Sequence, residues 1–193
     1  MYDALVTHLL DVLAADSRLY AAGNAYAPNG LNANAWAGVK RPDNGTDSPA
    51  AGYINLFDST AEPDAMDTRP AIYVGTRGVE TVGRTEFFTM SAGPGRTNYE
   101  QLTIPLFIEA QAPTKHAARS QRNQLLGNVR RILLDHSAAE SGFWWQLEMP
   151  GDVAGGARQI GQISGTGGTT GSAQANVVLP VVIHYSFNRN SLS

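Results

Sequence analysis

Residues 102–136 switch their hydrophobic period from two to 3.6 across a short turn, and no other stretch narrows the choice of fold as much. Every even position from Leu102 to Ala110 is apolar, as a strand with one buried face requires, while the odd positions Thr103, Pro105, Phe107 and Glu109 are mixed. Gln111, Ala112 and Pro113 follow, and Thr114 stands where a helix N-cap belongs. Ala118, Leu125, Val129, Ile132 and Leu133 then gather on one side of a helix. The pattern predicts an α/β (α+β) fold, with an antiparallel or mixed sheet against helices. The unit has a core and a surface without evident chemistry, which points toward assembly rather than catalysis.

The flanking sequence adds a second helix and several strands. Tyr2, Leu5, Val6, Leu9, Leu10 and Leu13 repeat at three- and four-residue spacing, which predicts an amphipathic helix over 2–19. Strands are expected at Tyr53–Phe57, Ala71–Thr76, Glu86–Met90 and Phe143–Met149, the last with Trp144, Gln146 and Glu148 on its polar side. The clearest strand closes the chain: positions 173, 175, 177, 179, 181, 183, 185 and 187 are Ala, Ala, Val, Leu, Val, Ile, Tyr and Phe, an unbroken apolar face. Pro105 and Pro180 occupy outward positions of their strands, where a residue without an N–H is expected at a sheet edge or a bulge. Residues 21–52, rich in Asn, Gly, Pro and Ala, read as a long loop, and 151–172, with eight glycines, as a flexible one.

A length of 193 residues with 42% hydrophobic residues suits one domain over 1–193 with a sizeable core. A net charge of -3 argues against a dedicated nucleic-acid binder. Charge is unevenly placed, with nine acids and four bases in residues 1–70 against eight and ten in 71–193, an asymmetry that suits stacking on a neighbour and equally suits a random scatter of surface charge. Without cysteine there are no disulfides and no thiolate metal sites. The amino terminus lacks a basic leader and a cleavage site, and no apolar run approaches the roughly 18 residues of a membrane span, so a soluble cytoplasmic protein without membrane contact is expected.

The usual catalytic signatures fail on inspection. Gly165–Ser172 is glycine-rich but lacks the lysine of a phosphate loop, and Gly161–Gly165 displaces its serine from the position a nucleophile elbow needs. His8, His116, His136 and His184 show no two-ligand helical spacing, and His136 suits the negative end of a helix dipole. Asp64 with Asp67, and Glu109, form no recognisable acid and base. No catalytic residue, cofactor or metal is expected, although carboxylates that meet only in three dimensions leave no local trace. Twelve of the fourteen basic residues are arginine, a bias that fits planar bidentate contacts at interfaces. On the second helix Arg119 and Arg130 fall about 20 degrees apart at roughly 100 degrees per residue. Leu134 projects opposite the apolar stripe. Arg119, Arg130, Arg131 and Leu134 are therefore the candidate contacts, with a neighbouring subunit or with nucleic acid in a channel; the alternative is a solvated helix face with Arg122 snorkelling at the core edge.

In order, the segments ALVTHLLDVLAADSRL, GYINLFDS, RPAIYVGT, QLTIPLFIEAQAPTKHAARSQRNQLLGNVRRILLDH and QANVVLPVVIHYSF resemble the elements of the tail terminator (tail-completion) proteins of long-tailed bacteriophages. The resemblance covers most of the chain, and it departs from the compact form of that family at 21–52 and 151–172. It implies a mixed or antiparallel sheet flanked by two helices and a homohexameric ring in the virion neck. Such a ring caps the tail tube, stops its polymerisation and offers a docking surface to the head connector or stopper protein. Its channel would touch DNA only passively. Another head-tail connector or a tail tube subunit is the near alternative, and a small hydrolase or ligand-binding domain the distant one.

Overall fold

The computed structural model describes residues 2–21, 35–42, 47–58, 69–75, 97–139, 143–144, 146–149 and 173–188. Among these residues, two α-helices lie on one face of a six-stranded mixed sheet of order β1-β2-β3-β4-β6-β5. The helices are α1 (Tyr2–Ala15) and α2 (Lys115–Asp135); the strands are β1 (Val39–Lys40), β2 (Ile54–Phe57), β3 (Ala71–Val74), β4 (Thr97–Ala112), β5 (Gln146–Glu148) and β6 (Ala173–Asn188). β1, β2 and β3 run parallel to one another, and β3–β4, β4–β6 and β6–β5 are antiparallel. The expected α+β architecture is thus present.

The period-two to period-3.6 unit is the centre of the molecule. The even β4 residues Leu102, Ile104, Leu106 and Ile108 share a buried face with Leu179, Val181, Ile183 and Tyr185 of β6, and Leu125, Val129, Ile132 and Leu133 of α2 pack on them. Thr114 is the N-cap of α2: its hydroxyl oxygen accepts from the Ala117 N–H at 3.1 Å. α1 adds Leu5, Leu9 and Leu13 to the same core over β2 and β3. Ala112, Ala118, Ala173 and Ala175 form a separate small-residue contact where the turn between β4 and α2 meets the start of β6.

Several expectations require correction. The first helix stops at Ala15, because the Asp16 carboxylate accepts from the Arg18 N–H at 2.8 Å and starts a 3-10 turn, Ser17–Leu19. β2 begins at Ile54 and β3 ends at Val74, whereas β4 runs beyond 102–110 at both ends. Residues 21–52 are not wholly loop: β1 pairs with β2, the Trp36 N–H donates to Tyr20 O at 3.0 Å, and the Trp36 indole lies in the main core. Trp144 is buried rather than on a polar side, and its Nε1 donates to His136 O at 3.0 Å. The expected strand at 86–90 lies outside the described residues.

Pro105 and Pro180 are on neither edge strand, for β4 and β6 are adjacent antiparallel strands inside the sheet and the prolines face each other in register. They are tolerated because directly opposed residues of an antiparallel ladder alternate between exchanging hydrogen bonds and pointing them outward. The Gly75 N–H donates to Pro105 O at 2.9 Å, so Pro105 points outward, past the last paired residue of β3, Val74. By the same geometry Pro180 points toward β5, two positions beyond the pair Glu148–Val182. Each missing donor therefore coincides with the end of a neighbouring strand, and Gly75, at φ 108°, turns the chain away where the return bond from proline cannot form.

Candidate functional site

α2 buries one side and exposes the other, and its exposed side carries the basic residues picked out in the sequence. Arg119 and Arg131 are exposed, Arg130 is half-buried, and Leu134 is 56% exposed, the one large apolar side chain so presented among the described residues. Arg119, Asn123, Arg130 and Leu134 form a stripe along the outer surface, with Arg131 to one side. Arg122 lies at the margin, as the snorkelling alternative predicts: its Nη1 donates to Asn176 O of β6 at 3.2 Å, and Nε and Nη2 donate to Asn123 Oδ1. Burial, then the positive charge of Arg119, lowers the Arg122 pKa from its ordinary value.

Beside the carboxyl end of α2 lies an open groove of about 550 Å³, lined by His8, Asp11, Val12, Ala15, Asp16, Ser17 and His136. His8 stacks on Phe143, with ring centroids 3.6 Å apart and planes within 3°, and Trp144 tilts against both rings. Arg18 joins the turn after α1 to the end of α2, bound to Asp16 on its own turn and to Asp135 at the last residue of α2. The Arg18 hydrogen bond holds the Asp16 carboxyl below its ordinary value, and Asp16 and then Asp135 raise the guanidinium's. Asp11 pairs with Arg41. With each carboxylate already matched to an arginine, this groove is a charge-balanced seam between elements more than a reaction centre. No group of three or more His, Asp or Glu side chains among the described residues is arranged to hold a metal ion.

Sequence reasoning missed the polar contacts that join distant segments. Glu109, read as an acid at a strand end, pairs with Arg69: Nη2 and Nε both lie 3.2 Å from Oε2, and the two side chains are 11% and 10% exposed. Buried Asn55 receives the Ala50 N–H at 3.0 Å and donates to Pro70 O, clamping the chain before β2 to the start of β3. Asn128 of α2, also buried, donates to Leu19 O at 2.9 Å and fixes α2 to the turn after α1. Only the local Asp16–Arg18 spacing could have been read in advance. Asp64 and Asp67 lie outside the described residues, His116 is exposed, and His184 sits 3.7 Å from Glu148. No helix among the described residues is long and apolar enough to cross a membrane. Compared with known proteins, the chain matches no family model and no curated sequence.

Proposed function

We propose that this chain is a structural protein of a bacteriophage neck, a tail terminator whose subunits close into a homohexameric ring on the finished tail tube. The observation that carries the reading is the order of elements. An amphipathic helix precedes short strands, then a long strand feeds a long helix, and a second long strand returns beside the first. Both helices lie on one face of the sheet, and the segments that carried the resemblance are the ones that supply these elements. The buried polar contacts at Asn55, Asn128 and Arg69–Glu109 brace the frame, as a part that works by shape requires. The ring would hold its neighbours by a head-to-tail contact that closes, and offer one face to the tube and the other to the connector or stopper. Its place would be the virion, after assembly in the host cytoplasm, with DNA passing through without specific contact.

The test is reconstitution. The full chain, mixed with tail tubes whose lengthening has stopped, should appear by electron microscopy as one six-fold disc at one end and should block further addition of tube protein. Tubes left bare and still able to grow would overturn the proposal. Turnover on simple esters, phosphates or glycosides by the same preparation would turn attention to a hydrolase.

A further inference from the structure

The charges of α2 are sorted by side. At about 100 degrees per residue, Lys115, Arg119 and Arg122 fall within roughly 60 degrees of one another, and Arg130 continues the row to a length of about 22 Å. Contacts fix the direction of this flank. Arg122 Nη1 donates to Asn176 O of β6 at 3.2 Å, whereas Asn128 and Asp135, on the other side of the helix, bind Leu19 O and Arg18 of the turn after α1. The bases therefore line the side of α2 that looks past β6 and away from α1. Asp135 is the only acid of α2, β6 has none, and Glu148 of β5 sits with His184 on the helix-free face of the sheet.

Helix stability does not explain the row. Lys115 stands in the first turn of α2, where the positive end of the helix dipole disfavours a cation, and that turn holds no acid. Arg122 keeps its whole charge, because its acceptors are the neutral Asn176 O and Asn123 Oδ1; burial and then the charge of Arg119 work against its protonation. Like charges gathered in this way suit an anion supplied from outside. What the flank lacks identifies that anion. A docked protein surface needs an apolar centre depleted of charge, yet the exposed neighbours on α2 are Ser120 and Asn123, and Leu134 stands beyond Arg130 at the far end. A nucleic-acid backbone needs only cations and polar donors, and a duplex presents one negative charge per 1.7 Å or so of its axis. We propose that this flank binds the phosphate backbone of duplex nucleic acid without reading its sequence, through Lys115, Arg119 and Arg122, with Arg130 extending the row. The chain carries a net charge of -3, and α1 holds Asp3 and Asp11 without a Lys or Arg, so the attraction is local and the affinity modest. This contact goes beyond the ring reading and does not depend on it.

The full chain, titrated into a fluorescently labelled DNA duplex of mixed sequence and followed by anisotropy over a range of salt, tests it. Wild type should bind with a dissociation constant of roughly 1–100 µM near physiological salt. The logarithm of the binding constant should fall against that of salt with a slope of about -3, as three neutralised phosphates at about 0.9 each require. Lys115→Gln with Arg119→Gln should bring the slope to about -1 and weaken binding about tenfold or more, with the urea midpoint unchanged, since both side chains are exposed. Arg131→Gln, on a side chain about 120 degrees from Arg119, should alter the affinity by no more than about twofold. A wild-type chain that does not bind, a double variant that keeps the wild-type slope, or an Arg131→Gln loss as large as the double variant's would each overturn the contact. So would polyglutamate of equal charge that competes as well as unlabelled duplex, because any acidic chain would then serve. Discs on tail tubes from a chain that ignores the duplex would overturn the contact and leave the terminator reading intact.

Discussion

Val181→Asp is the sharpest test of the fold. Val181 is fully buried, faces Ile104 across the central ladder, and lies between Leu179 and Ile183 on the side that α2 covers. Removing the isopropyl group forfeits about 1.5–3 kcal/mol of burial. The new carboxyl has no partner there, so it must be held neutral; raising its pKa from about 4 to beyond 7 costs about 4 kcal/mol at pH 7. The sum, about 6 kcal/mol before any hydrogen-bonding deficit, takes most of a domain margin of roughly 5–15 kcal/mol. The sign with pH follows. An acid whose folded pKa is raised destabilises above its unfolded pKa, so the deficit should shrink as pH falls from 7 toward 4. Urea unfolding followed by circular dichroism at both pH values measures it, with Ser120→Asp on the exposed side of α2 as a control that should shift stability by less than about 0.5 kcal/mol. A Val181→Asp chain with the wild-type midpoint at pH 7 would refute the inward assignment of the odd β6 positions.

Glu109→Ala leaves the Arg69 guanidinium enclosed without its carboxylate and should cost about 3–5 kcal/mol in denaturant unfolding, whereas Arg69→Met with Glu109→Leu should recover most of that; equal losses in the two chains would show that the pair is not the cause. Asp16 has a depressed pKa, so its contribution is present above the ordinary carboxylate value of 3.8 and fades as pH falls through the folded value. Asp16→Asn should therefore flatten the stability profile on the acid side of pH 4, and an unchanged slope there would contradict the Arg18 contact. Thr114→Ala should lower stability by about 1 kcal/mol through loss of the α2 cap, read as a shift in melting temperature, while Thr114→Ser should not.

What could be read from the sequence was what local period encodes. The inward faces of β4 and β6, the stripe of α2, the cap at Thr114 and the exposure of Leu134 all follow from side chains repeating every two or every 3.6 residues. What could not be read was pairing. β1 is two residues long and exists because β2 accepts it, so nothing in Val39–Lys40 announces a strand, and Trp36 looked like part of a polar segment because its core partners lie on other elements. Trp144 alternates correctly for a strand, yet its indole is drawn inward by the carbonyl at His136. The groove was invisible for the same reason: His8 and His136 are 128 positions apart, and their proximity is a product of how α1 and α2 lie on the sheet.

The opposed prolines at 105 and 180 have a consequence for how the chain can change. Because each inner strand withholds a donor at a fixed position, the finishing point of β3 and β5 is dictated by β4 and β6 and not by the outer strands themselves. The register of the long ladder is thereby fixed by β4 and β6 themselves, whose sixteen paired positions keep every inward side chain on its face wherever β3 and β5 stop. Pro105→Val would dissolve that punctuation on one side: it would offer Gly75 its missing bond and remove the fixed stop on β3.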